Sequence, residues 1–153
     1  MAALKKRLRA DLTVSMKARD TVRTRTLRMA LTSVTNEEVA GATARELTDD
    51  EVLNVLTKEA KKRKDAAEAF DAAGRKDQAS AERAEGEVLA TYLPAQLSDA
   101  DLAEIVAAAI DETGASGMSS MGQVMKVAQP LVAGRADGAR VAAEVRRRLS
   151  TGG

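Results

Sequence analysis

Leu4, Leu8, Leu12 and Met16 recur every four residues, and similar three-to-four spacings return along almost the whole chain. That period lays apolar side chains along one stripe of an α-helix. No segment alternates apolar and polar residues as a half-buried strand would. The pattern predicts an all-α protein of about seven helices. Asp20 is placed to cap a second helix that turns Leu27, Leu31 and Val34 inward and runs to about Val39. "TDDE" at Thr48 reads as a capping box, in which the Glu51 carboxylate reaches back to the cap N–H. It opens a third helix, about Asp49 to Ala73, with Val52, Val55, Leu56 and Phe70 inward and Gly74 as its left-handed terminus. A fourth helix, about Lys76 to Ala90, stops ahead of Pro94.

Ser98 begins a second group. Leu102, Ile105, Val106, Ala109 and Ile110 form one apolar face that ends at Gly114, and "GASGMSS" reads as a loop. Met121, Val124, Met125 and Ala128 define a short sixth helix with Ser119 and Ser120 as caps. Val141, Val145 and Leu149 define a seventh capped by Asp137. "STGG" reads as a frayed tail. The expected boundary is the Pro94 to Ser98 connector, dividing a four-helix part, 1–93, from a three-helix module, 94–153.

Phe70 and Tyr92 are the only aromatic residues, so the core must be aliphatic. Without cysteine or histidine the chain lacks a thiol nucleophile, a thiolate metal site and the commonest general base. No metal or cofactor is expected. The carboxylates fall mostly at caps or four residues from a base, as in Glu59–Arg63, the spacing of ordinary solvated helix pairs. Neither a Walker loop nor a dinucleotide glycine motif is present. Intrinsic catalysis is not expected. The opening "MAALKKRLRADL" lacks an apolar signal core, and no 18-residue apolar run occurs. Its Arg-rich, acid-poor character also suits a mitochondrial transit peptide, but Leu4, Leu8 and Leu12 read as part of the first helix. A cytoplasmic protein without a membrane partner is expected.

The net charge of +1 conceals a strong partition. Residues 1–28 hold nine Lys/Arg against two Asp, residues 94–118 hold five acids and no base, and the remainder holds six bases against two acids. "KEAKKRK", Lys58 to Lys64, spreads its charges around a helix and reads as a solvated face. Lys5 and Arg9 share a face near Lys17, Arg19, Arg23, Arg25 and Arg28, where polyanion binding and plain solubility are equally good readings.

"MGQVMKVAQPLVAGRADGARV", Met121 to Val141, gathers three of ten glycines, one of two prolines and three bases. Gly122 sits in a first helical turn, where a missing side chain allows close approach. The N–H groups around Ser119 and Ser120 could meet a phosphate. Pro130 should kink or end the sixth helix. Gly134 then reads as a left-handed stop in a helix–helix corner flanked by Arg135 and Arg140, with Lys126 on the preceding helix. A corner accounts for the glycines and leaves the bases unexplained.

"LRMALTSVTNEE" (27–38), "LTDDEVLNVLTKEAKKRKDAAEAFDAAGRKD" (47–77), "LATYLPAQLSDADL" (89–102) and the 121–141 stretch together resemble the GatB/YqeY family, in order and over nearly the whole chain. Proteins of this length in that family resemble the C-terminal helical region of the B subunit of glutamine-dependent aspartyl/glutamyl-tRNA amidotransferase. The resemblance implies an all-helical, two-part protein whose tail, about Ser98 to Leu149, contacts tRNA. Gly122, Lys126, Gly134, Arg135 and Arg140 fall on the tail motif, while Ala128 and Ala133 stand where bulkier or basic residues are expected. It also implies a link to carbon–nitrogen ligation that this chain could exert only with partner subunits.

Three functions follow as expectations. The first is a non-catalytic protein binding tRNA or other structured RNA, serving tRNA amidation, with amidotransferase or aminoacyl-tRNA synthetase components as protein partners. Its candidate contacts are Lys126, Arg135, Arg140, Gly122 and Gly134, with Lys5, Arg9 and Arg28. The second is a helical adaptor using Met121, Met125 or the "YLPAQL" connector. The third is a ligase accessory acting with partner subunits.

Overall fold

The computed structural model describes residues 1–151. Its elements are α1 (Ala3–Lys17), α2 (Thr21–Glu38), α3 (Asp49–Ala72), α4 (Lys76–Ala90), α5 (Asp99–Thr113), a 3-10 turn (Met118–Ser120), α6 (Met121–Val132) and α7 (Gly138–Thr151). The protein is all-helical, with no strand among the described residues. It divides into two compact units, Met1–Leu93 and Pro94–Gly153.

In the first unit, Leu8, Leu27, Val34, Val52, Leu56 and Leu89 are sealed from solvent. Fully burying each such side chain contributes about 1.5–3 kcal/mol. The α1 stripe drifts, because a four-residue step overshoots a 3.6-residue turn by about 40°. Leu8 takes the centre, Leu4 and Leu12 its flanks, and Met16 rotates out to 49% exposure. Ser15 is buried instead and accepts a hydrogen bond from Thr24 at 3.0 Å.

Asp20 caps α2 by accepting the Arg23 N–H at 3.1 Å, and Thr48 and Glu51 form the capping box of α3. α3 and α4 pair as a long hairpin closed by Gly74 at φ 75°. Far from the larger core residues this hairpin closes on Ala67 and Ala79, and Phe70 is only half-buried rather than inward.

In the second unit, Leu102, Val106, Val124, Val132, Val141 and Val145 form the centre of a separate core. Ser98 caps α5 and Gly114 ends it in the left-handed region. The "GASGMSS" stretch includes the 3-10 turn. Neither Ser119 nor Ser120 caps α6: Ser120 Oγ donates backward to the Ser116 carbonyl at 3.2 Å. α6 ends near Pro130 as expected, two helical residues beyond it, at Val132. The proline ring is exposed near the helix terminus, so only the bond to the Lys126 carbonyl is forfeited. The left-handed cap falls first on Ala133 (φ 52°), and Gly134 (φ 76°) continues the corner. Ser150 and Thr151 lie within α7, while Gly152 and Gly153 of the expected tail lie outside the described residues.

Candidate nucleic-acid interface

α1 and α2 are joined by a turn in which Arg19 N–H donates to the Met16 carbonyl at 3.2 Å and Asp20 N–H to the Ser15 carbonyl at 3.0 Å. This is the Schellman pattern, whose left-handed position is normally a glycine. Here it is Arg19, at φ 57° and exposed. The equivalent position after α3 is Gly74, with Arg75 N–H bonding back to the Phe70 carbonyl at 2.8 Å. A charged side chain thus occupies the strained position in one hairpin and glycine in the other.

So short a turn sets α1 and α2 side by side. At about 100° per residue, Lys6, Arg9, Thr13 and Lys17 fall in one sector of α1 about 80° wide, and all four are exposed. Arg28, Thr32 and Thr35 share an exposed sector of α2. The two sectors meet where the Arg28 guanidinium touches the Met16 sulfur at 3.7 Å. Residues 21–36 contain no acid. The acids nearby in sequence are engaged elsewhere. Asp20 caps α2, and Asp11 accepts the Tyr92 hydroxyl at 2.5 Å, with Arg23 and Arg7 at 3.8 Å. Burial and the Asp11 carboxylate push the Tyr92 hydroxyl up to about 12. What remains is a surface of hydroxyls and of cations that bond to no carboxylate among the described residues.

Lys5 does not belong to that surface. It is buried and its ammonium donates to Glu38 at 2.7 Å. That hydrogen bond, with the Leu47 N–H and the charge of Arg9, holds the Glu38 carboxyl below the usual carboxylate range against the opposing effect of burial. The shared face expected for Lys5 and Arg9 fails because 400° of rotation leaves them 40° apart, enough to put one under α1 and the other outside it.

The α6–α7 corner uses its arginines differently. Arg135 Nε donates to the Val132 carbonyl and its terminal nitrogen to the Leu131 carbonyl, both at 3.1 Å, satisfying the open end of α6. The Arg135 carbonyl accepts the Leu97 N–H at 2.7 Å. Arg140 donates to the Leu97 carbonyl and to Asp99, both at 3.0 Å. Both backbone groups of Leu97 are therefore held by the "GRADGAR" stretch. "LPAQLS" and "GRADG", two of the most distinctive stretches in the sequence, are one structural joint. Lys126 is exposed, and its side chain has no partner among the described residues. Gly122 has a negative φ, and a Cβ there would meet nothing within 4 Å, so α6 itself does not require glycine. Gly134 does lie in the left-handed region.

Sequence reasoning missed a charged cluster inside the first unit. Glu59, Arg63 and Glu85 are buried, with Arg63 bonding to Glu59 at 2.6 Å and lying 3.5 Å from Glu85. Glu85 also takes Arg25 at 2.8 Å, so Arg25, exposed and about 20° from Thr32 around α2, is a cation already paired. Burial pushes the Glu59 carboxyl up, but hydrogen bonds from Ser33 and Lys62 and the charge of Arg63 outweigh it, and the net direction is down. Ionised, this group is no proton donor. The signal was present: Val52, Leu56, Glu59, Arg63 and Ala67 occupy one helical stripe. Glu59–Arg63 is thus not the solvated pair its spacing suggested, and "KEAKKRK" is a solvated face only outside Glu59 and Arg63.

Among the described residues no group of acids could hold a metal ion, and no helix is long and apolar enough to cross a membrane. No curated protein matches the chain. The profile of the Yqey-like protein family matches residues 5–149. With almost its whole length accounted for by that match, the chain belongs to the Yqey-like protein family.

Proposed function

We propose that this protein is a non-catalytic binder of tRNA or other structured RNA that serves glutamine-dependent tRNA amidation. The observation that carries the reading is the basic face of α1 and α2, where Lys6, Arg9, Lys17 and Arg28 stand exposed. Such cations attract a phosphate backbone through counterion release. The family resemblance supplies the link to amidation and to amidotransferase or synthetase components as partners. The adaptor reading loses support, because Met121 and Met125 pack against the second core and Leu97 is buried.

Fluorescence anisotropy with labelled bulk tRNA tests the proposal. With about four phosphate contacts, affinity should fall about a hundredfold between about 50 and 200 mM salt. Absence of binding at the lower salt would reject it. The same preparation, given glutamine, ATP and mischarged tRNA, should release no glutamate above background; turnover would reject the non-catalytic part.

A further inference from the structure

We infer that the α1–α2 face takes the backbone of base-paired RNA rather than unpaired strands. The inference rests on the RNA-binding reading above and adds the form of RNA recognised. Proteins that grip single strands stack successive bases on aromatic rings set in a basic groove. This chain has two aromatic residues in all. Tyr92 is 5% exposed, with the Arg7 guanidinium 4.5 Å from its ring centre, and Phe70 lies on α3, outside both helices of the basic face. The face has no ring on which a splayed base could stack.

It has instead what a duplex backbone requires. α1 and α2 are regular helices of 15 and 18 residues, about 22 and 27 Å long. Helices packed together lie about 8–10 Å apart. Lys6 and Lys17 stand eleven residues apart, about 16 Å along one rigid rod. Fixed cations suit a fixed array of phosphates better than a flexible strand. The hydroxyls refine the match. Thr13 donates to the Arg9 carbonyl at 3.3 Å and Thr32 to the Arg28 carbonyl at 2.9 Å. Their protons are spent inside the helix, and each exposed oxygen is left as an acceptor. A ribose 2′-hydroxyl can donate to such an oxygen, and deoxyribose cannot. Arg19 is an independent observation: a cation kept in the left-handed position where glycine is easier, at the end of this same face.

The test compares four labelled ligands at low salt: an RNA hairpin duplex, an unpaired RNA of equal length, a DNA duplex of the hairpin's sequence, and bulk tRNA. The intact chain should bind the RNA duplex at least about tenfold more tightly than the unpaired RNA, and more tightly than DNA. Replacing Lys6, Arg9, Lys17 and Arg28 together by Gln should weaken duplex binding by about tenfold or more and flatten its salt slope. Replacing Lys58, Lys64, Arg75 and Lys76, exposed bases of α3, α4 and their turn, should leave it within about threefold. Should the fourfold variant fold poorly, the Lys17→Gln/Arg28→Gln pair replaces it, with an expected loss of about threefold or more. Equal affinity for unpaired RNA or for DNA, or unchanged duplex binding by the face variants, overturns the inference while tRNA binding stands. Failure of the intact chain to bind any of the four overturns both readings.

Discussion

The α1–α2 hairpin and the α6–α7 corner are both rich in bases, and they spend them in opposite ways. In the hairpin, Lys6, Arg9, Lys17 and Arg28 are exposed, with no carboxylate bonded to them among the described residues. In the corner, Arg135 closes the end of α6 and Arg140 holds the Leu97 carbonyl, leaving Lys126 as the freely exposed base of the motif. A basic side chain is evidence for a polyanion only when its donors are not already satisfied within the fold. The more distinctive sequence motif therefore marks an architectural joint, while the plainer helices carry the stronger candidate surface.

The comparison breaks most sharply at two adjacent residues. Lys5→Met leaves the part-buried Glu38 carboxylate without its cation and should cost about 1.5–3 kcal/mol, whereas Lys6→Met should stay within about 0.5 kcal/mol. Urea unfolding of both variants measures this; equal costs would place Lys5 back at the surface. The pH dependence has a definite sign. The folded Glu38 carboxyl lies below its ordinary value of 4.5, so its contribution is present above that value and is lost as pH falls through the folded one. The gap between wild type and Lys5→Met should consequently narrow as pH drops below 4.5.

A smaller effect is expected in the corner. Arg140→Gln should destabilise the protein by about 1–2 kcal/mol through loss of charge-assisted bonds to Leu97 and Asp99. Lys126→Gln should change stability by less than about 0.5 kcal/mol. Urea midpoints again decide, and an Arg140 variant as stable as wild type would free that arginine for another role. In the hairpin turns the effects are smaller still. Arg19→Gly should raise stability by up to about 1 kcal/mol and the equivalent Gly74→Ala lower it by about that amount, because both sites need positive φ. Thermal midpoints moving in the same direction would contradict the shared geometry.

Much of this structure was legible from spacing. Asp20, Thr48 with Glu51, and Ser98 act as caps, and Gly74 and Gly114 end their helices, because each needs only partners within a few residues. Met16 was misread because a strict four-residue repeat was extended one step beyond where the helix can keep it inward. Gly134 is left-handed as expected, and Ala133 before it is left-handed too, a position no residue-type signal marked. The candidate face was half legible: Arg9 and Arg28 lie on it, Lys5 does not.

By itself the sequence determined the helical class, most helix ends and the largely aliphatic nature of the cores, since periodicity and capping are local properties of the chain. Tyr92 is the one buried aromatic among the described residues. The tertiary structure alone decided which charges are free. Lys5 meets Glu38 33 residues away, Arg140 meets Leu97 43 away, and Arg25 meets Glu85 60 away. No local pattern encodes those separations. Whether a cation can face a phosphate depends on whether packing has already brought it an acceptor, and packing is settled only when the helices meet.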